Sequence, residues 1–255
     1  MHVDTHGQGS DLVLLHGWAM HGGIFHSLLP RLRAHYRVHV VDLPGHGLSR
    51  GHESRFELHD IVYRLKYRLP RAVYVGWSLG GLIALSLALE HPEHVAGLGM
   101  IAAAPSFVRR ADDPHGVDLT VFEQFRDDLA SNYKRTIERF LALEVVGDEH
   151  AQSCLRSLKA HIFDRGEPDP HVLHDGLNIL AHTDLNARLS RINCPSMWIA
   201  GARDRLVSVD AVERAAMHCR GHFLRFDHAG HAPFLTHAER VERALEDLMI
   251  EAEGA

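Results

Sequence analysis

Short runs of consecutive apolar residues alternate along this chain with stretches whose apolar positions recur every three or four residues. Leu12, Val13, Leu14 and Leu15 form the first run. Such a run has no polar face, so it reads as a strand covered on both sides. Val38, Val40 and Val41 make a second strand, Val73, Tyr74 and Val75 a third, and residues 95–101, 196–200 and 221–226 three more. Between them, residues 24–33 place Phe25, Leu28, Leu29 and Leu32 on one helical face. Leu58, Ile61, Val62 and Leu65 do the same. Residues 82–90 are apolar almost all round, as a helix buried against a sheet would be, and Val241, Leu245 and Leu248 mark a closing helix. Strands and helices in alternation imply a mostly parallel sheet flanked by helices, an α/β fold.

The alternation stops between residues 106 and 191. Four helical faces follow one another there: Val121, Phe122, Phe125 and Leu129; Ile137, Phe140, Leu141 and Val145; Leu155, Leu158 and Ile162; Leu173, Leu177 and Leu180. The βα pattern then resumes. The expected organisation is a core of residues 1–105 and 192–255, with residues 106–191 as a helical lid over the carboxyl ends of the strands, where α/β sheets bind ligands.

A chain of 255 residues with this pattern can bury a sizeable core. The formal charge of −6 gives no electrostatic case for nucleic acid. Cys154, Cys194 and Cys219 are odd in number and widely spaced, which argues against a disulfide framework or a cysteine zinc site. The 23 histidines are scattered, with no H-E-x-x-H helix face, so no metal and no cofactor is expected. No basic leader and no apolar stretch long enough for a bilayer occurs, so the expected setting is cytoplasmic, without membrane contact, and the expected state a monomer.

Candidate chemistry concentrates at the strand exits. Gly76-Trp77-Ser78-Leu79-Gly80 follows the third strand and opens the apolar helix. A G-x-S-x-G string can be a plain turn, but between strand and helix it reads as a nucleophile elbow, with the glycines leaving room for neighbouring backbone. The helix that follows aims its free amides at Ser78, where negative charge would develop. A serine hydroxyl needs a base, and the base needs an acid to fix its tautomer. Asp204 and His231 supply them in the order Ser, Asp, His, each after a strand. Asp210 follows the helix cap Ser208 and reads as a first-turn acid; Asp227 ends its strand too early; His228 lacks the preceding glycine that His231 has in Gly230. The oxyanion donors expected are the backbone N–H groups of Leu79 and of Trp18, which follows the first strand. His16 reads as holding that loop, and Asp42 as a turn or capping residue.

His16-Gly17-Trp18, the Asp42-to-Ser49 turn, Gly76 through Gly81, Asp204 and Gly230-His231 together resemble the α/β-hydrolase superfamily over nearly the whole chain. Within it, residues 135–143, the elbow tryptophan and His231-Ala232-Pro233-Phe234 resemble the biotin-pathway esterases that act on the methyl ester of a pimeloyl chain borne by acyl-carrier protein. The resemblance implies substrate contacts at Trp18, Ser78, Leu79, Phe140, Leu141, Ala142, Leu143, Glu144 and His231. It also implies a basic grip on the acidic acyl-carrier protein, which falls here to Arg135 and Arg139, one helical turn apart, extended by Arg156 and Lys159. Gln152 stands where the pattern has a basic residue, and Glu144 where it has glutamine.

The expectation is a serine carboxylesterase working through an acyl-enzyme on Ser78. The same triad also suits other small esters, thioesters, lactones or a carbon–carbon bond. A dehalogenase is disfavoured because the elbow carries serine and not a carboxylate. From another class, a ligand receptor that keeps the fold without turnover is the rival.

Overall fold

Apolar runs without a polar face require cover on both sides of a sheet. The computed structural model describes residues 1–51, 56–110 and 114–254. Its strands are β1 (His2–His6), β2 (Asp11–Leu15), β3 (Arg37–Asp42), β4 (Ala72–Trp77), β5 (Val95–Ile101), β6 (Ser196–Gly201) and β7 (His222–Phe226). Its α-helices are α1 (Leu29–Leu32), α2 (Leu58–Arg68), α3 (Leu79–Glu90), α4 (Leu119–Glu144), α5 (Ala151–His161), α6 (Pro170–His182), α7 (Val209–His218), α8 (Pro233–Thr236) and α9 (Ala238–Gly254). The sheet order is β1-β3-β2-β4-β5-β6-β7. Every pairing is parallel except β1 with β3.

From β2 the chain goes to one side to make β3 and then returns to the other side to make β4. The crevice at such a reversal lies at the carboxyl ends of the two strands, where α/β folds bind ligands. Leu15 of β2 stands opposite Gly76 of β4, so the loops leaving both strands begin side by side. Residues Leu79 to Leu89 of α3 are all buried, as its unbroken apolar surface requires. Helices α4, α5 and α6 fill the connection between β5 and β6, and α4 packs on α6.

Three local features differ from the sequence reading. β1 was not expected, because His-Val-Asp-Thr-His carries one large apolar residue; it survives as an antiparallel edge on β3. Residues 24–33 are not one helix: a 3-10 turn at Gly22–Ser27 leads into the single turn α1, in which Pro30 supplies no N–H. The face is nonetheless kept, with Phe25, Leu28 and Leu32 buried. The first two lid faces belong to one helix, α4, kinked at Asn132 (φ −153°, ψ 79°). The Asn132 side chain accepts from Arg135 N at 3.2 Å, capping the second half. Among the described residues no helix is long and apolar enough to cross a membrane, and no cluster of side chains is arranged to hold a metal ion.

Candidate active site

The chain leaves β4 through Ser78 with φ 55° and ψ −120°, a conformation an L-residue enters only under constraint. Two glycines make the constraint possible. A Cβ on Gly76 would lie 2.2 Å from the carbonyl oxygen of Gly80, and one on Gly80 would lie 2.3 Å from that of Leu15. Ser78 N donates to Ile101 O at 3.0 Å, fixing the turn to β5, and Leu79 opens α3 with no carbonyl of its own helix to bind. Gly17, after β2, packs against this turn: its Cβ would lie 3.0 Å from the Trp77 ring and 3.3 Å from Ser78 Cβ. The His16-Gly17-Trp18 loop therefore borders the serine.

His16 holds that loop, as its neutral ring allows. Nδ1 meets Gly17 O at 2.8 Å and Nε2 accepts from Leu43 N at 2.9 Å. Burial pushes its pKa down to about 3. His46, which pairs with Pro44 O, is pushed down to about 4 for the same reason. Asp42 does more than cap a turn. Its buried carboxylate accepts from Gly22 N at 2.7 Å and Leu48 N at 2.8 Å, and Arg165, after α5, reaches both Asp42 and Asp4 at 3.1 Å. Nearby, His21 pairs with Asp164 at 2.7 Å. The segment after α5 is thus fastened to the loop after β2 and to β3.

Asp204 and His231 come together from the loops after β6 and β7. Nδ1 of His231 lies 2.7 Å from Oδ2 of Asp204, and the two side chains are 0 % and 1 % exposed. The other carboxylate oxygen accepts from Leu206 N at 2.8 Å and Val207 N at 3.0 Å, so the acid is held by three donors. Burial alone would push the His231 imidazole down; the Asp204 carboxylate overrides this and holds it above the ordinary histidine value. Nε2 of His231 has no hydrogen-bond partner among the described residues. Trp77 braces the ring from the elbow, its indole N–H donating to His231 O at 2.8 Å. That role was hidden in the sequence, although a tryptophan beside the nucleophile was visible.

The helices between β5 and β6 cover this arrangement. The Trp18 indole N–H donates to Leu173 O of α6 at 2.8 Å, and its ring lies 4.6 Å from that of Phe140 on α4. Ser78, Trp18, Phe140, Leu141 and Glu144 are all buried, and Leu79 with them, while Ala142 and Leu143 are half-buried. Glu144 reaches the loop after β7, its carbonyl accepting from His231 N at 2.9 Å. The basic residues lie elsewhere. Arg135, Arg139, Arg156 and Lys159 are exposed on α4 and α5. Arg135 and Arg139 border a hollow of about 230 Å³, and Arg139 pairs with Asp128.

An elbow serine, a buried histidine–aspartate pair and this sheet order define a hydrolase scaffold. The chain belongs to the alpha/beta hydrolase fold family, whose model matches residues 12–238. It is 50% identical over 246 residues to a pimeloyl-[acyl-carrier protein] methyl ester esterase of Xanthomonas campestris pv. campestris, covering 96% of this chain and 97% of that protein. A protein of the same name from Stenotrophomonas maltophilia is 49% identical over 247 residues, 96% of this chain and 95% of its own. Among solved structures, an esterase from Exiguobacterium antarcticum superposes with a TM-score of 0.86 at 23% identity, covering 96% of this chain and 94% of its own. An enol-lactonase from Burkholderia xenovorans gives 0.83 at 16% identity, covering 98% and 96%. At those identities the structures speak for the fold alone.

Proposed function

We propose that this chain is a serine carboxylesterase that hydrolyses the methyl ester of a pimeloyl chain carried on acyl-carrier protein, releasing methanol, in biotin biosynthesis. The observation that carries the chemistry is the buried His231–Asp204 pair, with Nε2 unpartnered, tied through His231 O to Trp77, the residue before a serine on a strained elbow. The substrate is supported by the half-identical relatives that bear that name over nearly their whole length.

In this reading His231 Nε2 takes the Ser78 hydroxyl proton while Oγ bonds to the ester carbonyl carbon. The oxyanion is stabilised by the N–H groups of Trp18 and Leu79. Its collapse breaks the carbon–methoxy bond, and His231 gives the proton to methoxide. Water then repeats the sequence on the acyl-serine, with the proton passing through His231 back to Ser78. Asp204 fixes the tautomer with Nδ1–H toward itself. Residues 106–191 act as the lid on a core of 1–105 and 192–255. Ser78 is 2 % exposed, so an ester reaches it by displacing part of that cover. Trp18, Phe140, Leu141, Ala142, Leu143 and Glu144 bound the acyl chain in this assignment. The enzyme works as a cytoplasmic monomer.

Arg135, Arg139, Arg156 and Lys159 are assigned to docking the acidic carrier. The support is their exposure on the lid and the chemistry of the partner, against a chain that is acidic overall. The test compares kcat/KM for the carrier-bound methyl ester with that for a short free methyl ester, in the wild type and in Arg135→Glu/Arg139→Glu. A loss confined to the carrier-bound substrate and a weaker salt dependence in the variant are expected. Equal kcat/KM and equal salt dependence in both proteins would contradict the docking surface.

A further inference from the structure

Glu144 ends the lid helix α4 directly against the catalytic loop, and the inference drawn from it rests on the esterase function proposed above. Its carbonyl accepts the His231 N–H at 2.9 Å, and a Cβ on Gly230 would lie 2.8 Å from the same oxygen. Two further bonds close the seam: Gly230 N donates to Asp148 Oδ2 at 2.7 Å, and Glu149 N to His228 O at 3.0 Å. The Glu144 side chain is shut into this seam at 2 % exposure, and its Oε2 has no hydrogen-bond partner among the described residues.

The charged and titratable groups around it do not favour an anion. Asp204 adds a second carboxylate from the core, and Asp148 lies in the turn that follows. On α5, Cys154 is a buried thiol pushed up to about 12, chiefly by burial and further by Asp148 and Glu144. Exposed Arg203 donates to Gly147 O at 3.0 Å and meets His228 Nδ1 at 2.9 Å. His231 is the group that would favour the anion, and only in its protonated form. Burial pushes the Glu144 carboxyl up to about 8, with His231 opposing and Asp204 adding to the shift.

We propose that Glu144 is a positioning residue for His231: its main-chain carbonyl holds the catalytic loop, and its carboxyl must stay uncharged for the seam to remain shut, so that Glu144 sets the alkaline limit of activity. When Glu144 loses its proton to solvent beside a neutral His231, a carboxylate whose Oε2 has no donor draws water into the seam and breaks the Glu144–His231 main-chain contact, so the imidazole loses its place.

The test is the pH dependence of kcat/KM on a short free methyl ester for the wild type and Glu144→Gln, each corrected for the rate with Ser78→Ala and scaled to its own maximum. The wild type is expected to fall with a one-proton midpoint near 8, roughly tenfold per pH unit beyond it. Glu144→Gln, which keeps the shape and cannot ionise, should lose that fall. Superimposable profiles would overturn the proposal. A second measurement needs neither a folded variant nor activity: infrared spectra of wild-type protein with isotope-labelled glutamate should contain a protonated carboxyl band at neutral pH that disappears above about 8. Fully ionised glutamates at neutral pH would overturn it equally. A wild type without serine-dependent hydrolysis would count against the esterase reading, and the infrared result would then decide the state of Glu144.

Discussion

Nδ1 of His231 lies 2.7 Å from Oδ2 of Asp204, and neither side chain meets solvent. The contact spans 27 residues of sequence and joins two loops that leave neighbouring strands, β6 and β7. Burial disfavours the imidazolium, and the carboxylate more than compensates. Because a protonated His231 cannot accept the serine proton, kcat/KM should rise with pH through a midpoint above the ordinary value of 6.5. Asp204→Asn should shift that acid limb downward and reduce kcat by about ten-thousand-fold, the size of the effect in a serine protease. An acid limb at the same pH in both proteins would show that the pair does not govern the base.

The elbow glycines make a second prediction. A Cβ at Gly76 meets backbone at 2.2 Å, and backbone cannot move aside as a side-chain tip can. Gly76→Ala should lower stability by about 4 kcal/mol or more, or prevent folding, as read by chemical denaturation. Gly51→Ala is the control for alanine substitution away from the site. Among the described residues a Cβ there would meet nothing within 4 Å, and at φ 75° only the ordinary strain of a left-handed residue applies. Equal losses from the two would refute the packing argument.

Asp148 provides a third. Its two oxygens accept from Gly230 N and His150 N, each at 2.7 Å, tying the His231 loop to the start of α5. Asp148→Ala leaves two main-chain donors without their acceptor, at a cost of about 1.5 to 3 kcal/mol for each such charged bond. Thermal unfolding should move down by several degrees, and kcat should fall more than KM rises, because His231 rather than the acyl pocket loses its support. An unchanged kcat would remove Asp148 from the positioning of the loop.

A fourth prediction concerns acid. His16 and His46 are buried neutral, with pKa values pushed down to about 3 and about 4 from an unfolded value of 6.5. The unfolded chain therefore binds protons that the folded chain refuses, and stability present above 6.5 is lost as pH falls toward those values. The melting temperature should drop steadily from about pH 6.5 to pH 4. His46→Gln, which cannot take up that proton, should have a shallower slope. Identical slopes would show that other groups carry the acid sensitivity.

The strands, the elbow and the order Ser78, Asp204, His231 were legible because each is written locally, in an apolar run or in a glycine beside a reactive side chain. The edge strand β1 was not, since five mostly polar residues take strand form only through pairing with β3. Residues 24–33 carried a correct apolar face but not the break, which depends on how the 3-10 turn at Gly22–Ser27 meets Pro30. Asp42 looked like a turn residue because its partner Arg165 lies 123 residues away. Glu144 reads from the sequence as a substrate contact and not as a brace for the loop after β7, since nothing in a helical pattern reveals that the turn after α4 will close on a loop 82 residues further along.

The most direct measurement follows methanol released from pimeloyl-carrier-protein methyl ester by the wild type and by Ser78→Ala, with circular dichroism to show that both fold alike. Catalysis by the wild type and a rate reduced by about ten-thousand-fold or more in the variant is the predicted result. Comparable turnover by both proteins, or no methanol from the carrier-bound ester with the wild type, would contradict the account.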